Sequence, residues 1–203
     1  MKLERANVRY GALEVLKDFS LSLPRTGRIA LMGPSGCGKS TLLRVLGGLI
    51  PQPEGVRVGA EGRRIGFLFQ EDRLLPWFTA RQNVQAVCAD AKDGTAERAL
   101  EAAGLVQSAW EKIPGELSGG MRQRVALARL FAYGADVWLL DEPFQGLDAQ
   151  SRTQIIEQLI AHAEGKLLLL VTHERAEAEQ LCERILQVKG PPLTLLHPAG
   201  GCM

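Results

Sequence analysis

The stretch Arg28-Ile-Ala-Leu-Met-Gly33-Pro-Ser-Gly-Cys-Gly-Lys39-Ser-Thr-Leu-Leu-Arg-Val-Leu46 decides the fold of this 203-residue chain. It fits the pattern G-x-x-x-x-G-K-[ST] between two apolar segments, which predicts a strand, a glycine-rich loop and a helix. Glycines let backbone N–H groups converge on an anion, and the helix N-terminus adds partial positive charge. The pattern therefore predicts a nucleoside triphosphate site. A glycine-rich turn with an accidental Lys-Ser is the weaker alternative.

The residues of this loop are expected to bind the phosphates of the nucleotide. They are Gly33, Pro34, Ser35, Gly36, Cys37, Gly38, Lys39, Ser40 and Thr41. Lys39 is expected to reach the terminal phosphates, and the Ser40 hydroxyl to bind Mg²⁺.

The composition is that of a globular protein and narrows the choice of partners. Lys and Arg number 24 against 23 Asp and Glu, a net charge of +1, so no global charge favours nucleic acid or an anionic membrane. The longest aliphatic run, 167–171, is too short to span a bilayer, and the first residues do not resemble a signal peptide. Four dispersed cysteines without a C-x-x-C pair suit a reducing compartment. We expect a cytoplasmic protein with no nucleic-acid partner.

The order of predicted elements indicates an α/β fold with a mostly parallel sheet. Two β-compatible segments, 2–10 and 15–23, flank Gly11-Ala12 and predict an antiparallel hairpin. Alternating strands and helices after Ser118 predict parallel strands covered by helices. The remaining predicted elements are short strands at 56–58 and 64–69, helical sequence from Thr79 to about Leu105 with a break at Gly94-Thr95, a helix from Ser118 to Tyr133, a strand at 137–140, a helix at 149–163, a strand at 166–171 and a helix at 175–182.

A buried strand ending in Asp141-Glu142-Pro143 is the second chemical feature. A carboxylate at this place can hold Mg²⁺, and its neighbour can orient and deprotonate a water molecule. We expect Asp141 to bind the metal and Glu142 to orient and deprotonate the water. Solvated strand-end charges would be the alternative if the pair stood alone.

The third feature is Leu117-Ser118-Gly119-Gly120, where Ser118 is a predicted helix N-cap and the glycines expose N–H groups. This gives a second anion site in a chain with one nucleotide loop. Together with the phosphate loop, Gln70 and the Asp-Glu strand end, it resembles the ATPase subunit of ATP-binding cassette (ABC) transporters. The resemblance covers nearly the whole chain. It implies a P-loop NTPase core with an N-terminal antiparallel β subdomain, in one ABC ATPase domain over residues 1–203 that includes a helical subdomain at about 71–135.

The resemblance also implies roles for single residues. Tyr10 would stack on the adenine of ATP, although an edge-strand side chain is the ordinary reading of such a tyrosine. Gln70 would touch Mg²⁺ and the attacking water, and His173 would contact the γ-phosphate, so Glu142, His173 and Gln70 form the expected catalytic set and Ser40, Gln70 and Asp141 the metal set. Ser118, Gly119, Gly120 and Asp148 would act across a homodimer formed on ATP binding, with Asp148 also a possible helix cap.

The segment after Gln70 points to a branch of the family and to a partner. Leu74-Leu75-Pro76-Trp77, followed by Asn83-Val84, looks like bacterial importers of the nitrate, sulfonate and taurine group. Large apolar residues beside a proline in a loop leave apolar surface for a partner. We expect Leu75 and Trp77 to receive a separate transmembrane permease subunit, with a substrate-binding protein in the complex. Packing as core is the alternative, stronger for Leu74 than for Trp77.

The resulting hypothesis is an ATP-hydrolysing subunit of a bacterial importer on the cytoplasmic face of the membrane. An ABC exporter with its cassette on a separate chain is the first alternative. A soluble ABC ATPase acting in DNA repair or on ribosomes would carry a long coiled coil or two cassettes, and the sequence has neither. A small-molecule kinase or GTPase would leave Leu117–Gly120 and His173 unexplained.

Overall fold

The computed structural model describes residues 1–52, 57–58, 62–88 and 94–196. Its strands are β1 (Lys2–Tyr10), β2 (Leu13–Ser22), β3 (Gly27–Met32), β4 (Arg57–Val58), β5 (Ile65–Leu68), β6 (Val137–Asp141), β7 (Leu167–Thr172), β8 (Arg184–Lys189) and β9 (Thr194–Leu196). Its α-helices are α1 (Lys39–Leu46), α2 (Ala80–Gln85), α3 (Thr95–Ala102), α4 (Gly119–Tyr133), α5 (Ala149–His162) and α6 (Arg175–Leu181). Short 3₁₀ turns lie at Gln107–Ala109 and Pro114–Glu116.

The main sheet has six strands in the order β5-β6-β7-β3-β8-β9. Neighbouring strands are parallel except β8 and β9, which are antiparallel. Strands β6 and β7 are buried along their whole length, as expected for apolar runs in a sheet covered on both faces. The prediction of a mostly parallel α/β fold is confirmed.

Alternate residues of these central strands supply two separate cores. Trp138 and Leu140 pack on one face with the helices α4 and α5, and Val137 and Leu139 pack on the other with α1 and β1. Strand β7 divides in the same way. Side chains of successive strand residues point to opposite faces, so one apolar run can fill both cores.

A second sheet, in the order β2-β1-β4, is antiparallel. Its β1–β2 hairpin confirms the prediction, and Gly11 takes the left-handed conformation, with φ of 59°, in the turn. Of the predicted strand at 56–58, Arg57 and Val58 pair with β1, whereas residue 56 lies outside the described residues.

The helical region between β5 and β6 is broken as predicted but is less helical than expected. Helix α3 begins at Thr95 after Gly94, whose φ is 83°, and it ends at Ala102 rather than near Leu105. Helix α2 ends already at Gln85, and residues 89–93 lie outside the described part. Both helices pack on α4. None of the described helices is long and apolar enough to cross a membrane.

Helix α4 holds the segment that leads from β5 towards α2. The Arg122 guanidinium donates to Asp72 Oδ2 at 2.8 Å, and Arg129 donates to the carbonyl oxygen of Arg73 at 2.8 Å. Beside Arg129, near the C-terminal end of the helix, Leu130 lies against β5, and a Cβ on Gly66 would come within 2.5 Å of its Cδ1 atom. The segment and the helix therefore form one packed unit.

Strands β8 and β9 were not predicted. Only Val188 is buried in β8, because this strand lies towards the edge of the sheet and charged or polar residues alternate irregularly along it. Its position matters for the site, because the Val188 backbone lies directly against Gly33.

Candidate functional site

A polar cavity of about 260 Å³ opens at the carboxyl ends of β3, β6 and β7. It is lined by Ser35, Gly36, Lys39, Ser40, Gln70, Glu142, Gln145, Val171 and His173. Loops that follow parallel strands meet at one edge of the sheet, which explains why residues so distant in sequence converge here. Seven of these nine residues belong to the predicted site. Gln145 and Val171 do not.

The glycines of the phosphate loop are required by close approach and by backbone conformation. A Cβ on Gly33 would lie 2.4 Å from the Val188 carbonyl oxygen, and one on Gly38 would lie 2.8 Å from Val15 Cγ1. Gly36 and Gly38 also have φ of 76° and 109°, values that favour glycine. The loop therefore packs against β2 and β8 while α1 begins at Lys39, with its N-terminus beside the cavity.

Lys39 is buried, and its ammonium group lies folded onto the loop. The Nζ atom donates to the carbonyl oxygens of Gly33 at 2.7 Å and Pro34 at 2.9 Å. These bonds satisfy a cation that would otherwise be costly to bury. They also place the charge at the wall of the cavity, where an anionic group can exchange for the carbonyls.

Ser40 and Asp141 are joined by a hydrogen bond, in which Ser40 Oγ donates to Asp141 Oδ1 at 2.9 Å. Burial raises the pKa of the Asp141 carboxyl, an effect that the Ser40 bond and the nearby Arg44 oppose. A buried carboxylate beside a hydroxyl fits Mg²⁺, which prefers oxygen ligands and usually keeps waters and substrate phosphates as further ligands. The described residues contain no group of three or more His, Cys, Asp or Glu side chains placed to bind a metal ion together.

Glu142 and His173 form a contact across the cavity. His173 Nδ1 lies 3.0 Å from both carboxylate oxygens of Glu142, and this hydrogen bond raises the pKa of the His173 imidazole. Glu142 has φ of 48°, which is rare and strained for a non-glycine residue, while its backbone N–H extends the sheet by donating to Val171. The strain turns the carboxylate out of the strand and into the cavity.

Gln145 is a site residue that the sequence interpretation missed. Its Oε1 atom accepts a hydrogen bond from Gln70 Nε2 at 2.9 Å, which ties the segment after β5 to the turn after β6. The Gln145 backbone N–H closes that turn on the Glu142 carbonyl at 3.4 Å. Only the turn geometry brings the two amides together, so no pattern in the sequence indicates the pair.

A buried acid, Glu177, supports the turn that carries His173. The Thr172 hydroxyl donates to Glu177 Oε2 at 2.6 Å and accepts from the Glu174 N–H at 3.1 Å. Burial raises the pKa of the Glu177 carboxyl, and Arg152 of α5 lies 3.5 Å from it. The sequence alone did not indicate a role for Thr172, Glu177 or Arg152.

The second predicted anion site lies apart from the cavity. Ser118 caps α4, since its Oγ accepts from the Met121 N–H at 3.3 Å, and Asp148 caps α5 by accepting from the Ser151 N–H at 2.9 Å. Both capping predictions are confirmed. A Cβ on Gly120 would lie 3.6 Å from Leu147, so the two helix ends are neighbours. The described residues that line the cavity do not include Ser118, Gly119, Gly120 or Asp148.

Tyr10 also lies outside the cavity lining. It ends β1 with half of its surface exposed, so the chain alone gives it no contact with the predicted phosphate site. Its side chain is at the exposed end of β1, which is the middle strand of the second sheet, and the adenine contact stays a prediction.

A larger cavity, of about 310 Å³, lies between β5 and α4 and is mainly apolar. It is lined by Phe67, Phe69, Arg73, Leu130 and Tyr133 among others. An apolar lining of this kind is typical of small-molecule sites. We place the candidate site in the smaller cavity, because the helix N-terminus, Lys39 and the carboxylates converge only there.

Comparison with known proteins gives one consistent result. The sequence profile of the ABC transporter family matches residues 16–145. The aliphatic sulfonates import ATP-binding protein SsuB 1 of Xanthomonas axonopodis pv. citri is 40% identical over 97% of this chain and 84% of that protein. The corresponding SsuB 1 of Rhodococcus jostii is 42% identical over 92% of this chain and 78% of that protein.

Solved structures agree with the sequence comparison. The dimeric structure of MJ0796, a bacterial ABC transporter cassette, superimposes with a TM-score of 0.82 and 30% identity over 92% of this chain and 93% of that chain. A dimeric post-hydrolysis state of the same cassette, bound to ADP and Pi, gives a TM-score of 0.81 over 93% and 94% of the two chains.

Proposed function

This chain belongs to the ABC transporter family and is an ABC-type ATPase, and from this membership we propose that it is the ATP-hydrolysing subunit of a bacterial importer. The observation that carries the proposal is the convergence of the phosphate loop, Glu142, His173 and Gln70 on one cavity. The names of the relatives, which describe import of aliphatic sulfonates, support import over export.

ATP would bind along the phosphate loop with its phosphates at the N-terminus of α1. The Lys39 ammonium would leave the Gly33 and Pro34 carbonyls for the terminal phosphates. Ser40, Asp141 and Gln70 would hold Mg²⁺, which would supply charge neutralisation to the phosphates when bound. Tyr10 is retained as the proposed adenine contact, at the half-exposed end of β1.

Hydrolysis would use the carboxylate that the strained backbone directs into the cavity. Glu142 would accept a proton from a water molecule while the oxygen of that water attacks the γ-phosphorus. The bond between the γ-phosphorus and the β–γ bridging oxygen would then break, and its electrons would pass to ADP. His173 would hold the Glu142 carboxylate and donate towards the γ-phosphate. Gln70, tied to Gln145, would orient the same water.

A second copy of the chain would complete each site. The exposed N–H groups at Ser118–Gly120 lie at a helix start but face no cavity residue of their own chain, which leaves them available to a nucleotide held by a partner. Asp148 lies on the neighbouring helix end and would cross the same interface. ATP would then join two copies, and its hydrolysis would release them.

The membrane partner would bind at the segment Leu75–Thr79, which we name the docking loop. Trp77 is 85% exposed, and Leu75 and Phe78 are exposed as well, so the docking loop is not core. Leu74, in contrast, packs on the main core. Exposed large apolar side chains of this kind mark protein contacts. We place a permease subunit here, on the cytoplasmic face of the membrane, and propose that residues 71–135 act as a helical subdomain that moves with it.

Affinity purification from detergent-solubilised native membranes tests the proposal. The tagged chain should recover a multi-spanning membrane protein, and its ATP hydrolysis should rise when a substrate-binding protein loaded with an aliphatic sulfonate is added to the reconstituted complex. A Lys39→Ala chain should recover the same membrane protein without hydrolysis. Recovery of the chain without a membrane protein, together with full ATPase activity of the isolated chain, would favour a soluble ABC ATPase. Stimulation by a compound without any binding protein would favour an exporter.

A further inference from the structure

The docking loop exposes apolar side chains and yet has a defined shape. Trp77 projects almost fully into solvent, while Leu75 and Phe78 are each about 40% exposed, at 40% and 41%. The loop can therefore gain little order from the burial of its own side chains. Its backbone closes one turn, in which the Phe78 N–H donates to Leu75 at 3.2 Å. Pro76 has no N–H to contribute.

A single buried side chain supplies most of the remaining hydrogen bonds. Asn83 of α2 is 0% exposed. Its Oδ1 atom accepts from the Leu75 N–H at 2.8 Å. Its Nδ2 atom donates to the carbonyl oxygens of Leu75 at 3.1 Å, Phe78 at 3.0 Å and Thr79 at 3.1 Å.

This bonding pattern suits asparagine and no other residue of similar size. The Asn83 amide offers two N–H hydrogens to three carbonyls and an oxygen to one N–H, so both ends of the group are used. An aspartate would keep the acceptor but would place a carboxylate against three carbonyl oxygens. A leucine would leave four backbone groups of the loop without these partners.

The preceding residues are held by other means. Arg122 and Arg129 of α4 hold Asp72 and the Arg73 carbonyl, and Leu74 packs on the main core. Asn83 therefore controls the part of the segment that carries the exposed aromatic residue, and its hydrogen bonds are separate from those made by Arg122 and Arg129.

A fixed loop binds a partner more tightly than a mobile one. If only a fraction of molecules present Trp77 in the competent position, the apparent affinity falls by that fraction. We propose that Asn83 is a positioning residue that holds the docking loop in the conformation that presents Trp77 to the membrane subunit. This inference rests on the proposed function of the docking loop.

The test combines one measurement on the isolated chain with one on the complex. In Asn83→Ala, the Leu75 amide should exchange with deuterium at least about tenfold faster, because its hydrogen bond is lost. Affinity for the membrane subunit should fall about tenfold, while ATP affinity should stay within about twofold. Asn83→Leu, which has a side chain of similar size and removes both the acceptor for the Leu75 N–H and the donors to the carbonyls, serves as the second variant if Asn83→Ala fails to fold.

Gln82→Ala is the matched control, because Gln82 neighbours Asn83 and its side chain accepts a hydrogen bond from the Thr79 N–H at the helix cap, at the end of the docking loop away from Leu75. It should leave the Leu75 amide and the affinity for the membrane subunit unchanged. In a Trp77→Ala chain, addition of Asn83→Ala should lower the affinity by less than about twofold, since the side chain to be positioned is gone.

Three contradicting results can be told apart. Unchanged exchange at Leu75 in Asn83→Ala would overturn the role of Asn83 and leave the docking loop as a binding surface. Faster exchange together with full affinity in both Asn83→Ala and Trp77→Ala would overturn docking at this loop. An equal loss of affinity with and without Trp77 would show that Asn83 acts on binding by another route, and it would also overturn the proposal.

Discussion

Replacement of Glu142 by glutamine should stop hydrolysis and leave the fold intact. The substitution preserves the shape of the side chain, and the hydrogen bonds of the strained turn are made by backbone atoms, from the Glu142 N–H to Val171 and from the Gln145 N–H to Glu142. The side chain loses its charged contact with His173, which is 55% exposed, and weakening of such a solvent-screened contact should cost about 0.5 kcal/mol of folding free energy. The melting temperature should therefore move by no more than about 2 °C.

The loss of activity should be much larger. Removal of a general base lowers the rate by about 10² to 10⁴, which corresponds to about 3 to 5 kcal/mol in the barrier. A turnover near 1 s⁻¹ would fall to about 10⁻² to 10⁻⁴ s⁻¹, so that the ATP-bound state would last from minutes to hours. A pair of chains joined by ATP would then survive a size-exclusion run.

The assay is ATP turnover in the reconstituted complex, together with size-exclusion chromatography of the isolated chain with ATP. Glu174→Gln is the matched control, because Glu174 also approaches His173, with Oε1 at 3.5 Å from Nε2, but does not line the cavity. It should hydrolyse ATP at close to the normal rate. Normal turnover in Glu142→Gln, or an equal loss in Glu174→Gln, would refute the assignment of Glu142 as the base.

Three further predictions test the other parts of the proposal. Trp77→Ala should leave ATP affinity and the melting temperature nearly unchanged and should weaken binding of the membrane subunit roughly thirtyfold, as for loss of about 2 kcal/mol at an interface centre. A mixture of Ser118→Arg and Lys39→Ala chains should recover part of the ATP-induced pairing that each variant lacks, because one of its two composite sites carries both defects and the other carries neither. In an NMR titration, the His173 imidazole should titrate above its ordinary pKa, and Glu142→Gln should return it towards that value. Because the folded-state pKa is raised, the stability that this contact adds is present in full below the ordinary pKa and is lost as the pH rises through the raised one.

Each of these predictions has its own control and its own contradicting result. Trp138→Ala removes the same side chain from a core position that is 1% exposed and should cost about 3 to 5 kcal/mol of stability, so a similar drop in Trp77→Ala would place Trp77 in the core instead. Equal loss of pairing in the mixture and in each parent would argue against sites shared between chains. A His173 titration that Glu142→Gln does not alter would show that the contact between them does not form in solution.

The elements that could be predicted from the sequence are those with a continuous run of apolar residues or a fixed motif spacing. Strands β6 and β7 are buried at every position, and the phosphate loop follows β3 with a fixed spacing, so these parts required no tertiary information. Strand β8 could not be predicted in this way. Its mixed sequence, with Val188 as the only buried residue, becomes a strand because it pairs with β3.

The candidate site likewise has one part that could be predicted from the sequence and one part that could not. Convergence of Ser40, Asp141 and Glu142 follows from the rule that loops after parallel strands share one edge of the sheet. The Gln70–Gln145 and Asn83–Leu75 contacts depend on the course of irregular segments, which side-chain type alone does not fix. The separation of Ser118 from the cavity is also a property of the folded chain, and only a resemblance to a dimeric family gave it a meaning in advance.

Helix α4 has the geometry of a lever arm with its pivot at one end. It has 15 residues and a length of about 22 Å, with Leu130 seated on Gly66 near its C-terminal end and Ser118 capping its N-terminal end. Ser118 lies 12 residues, or about 18 Å, from Leu130, so a tilt of about 10° about the pivot would displace Ser118 by about 3 Å, several times the tolerance of a hydrogen bond. Since Arg122 holds Asp72 close to the Ser118 end, a small push on the segment before the docking loop would shift the N–H groups that we propose to contact a partner's nucleotide.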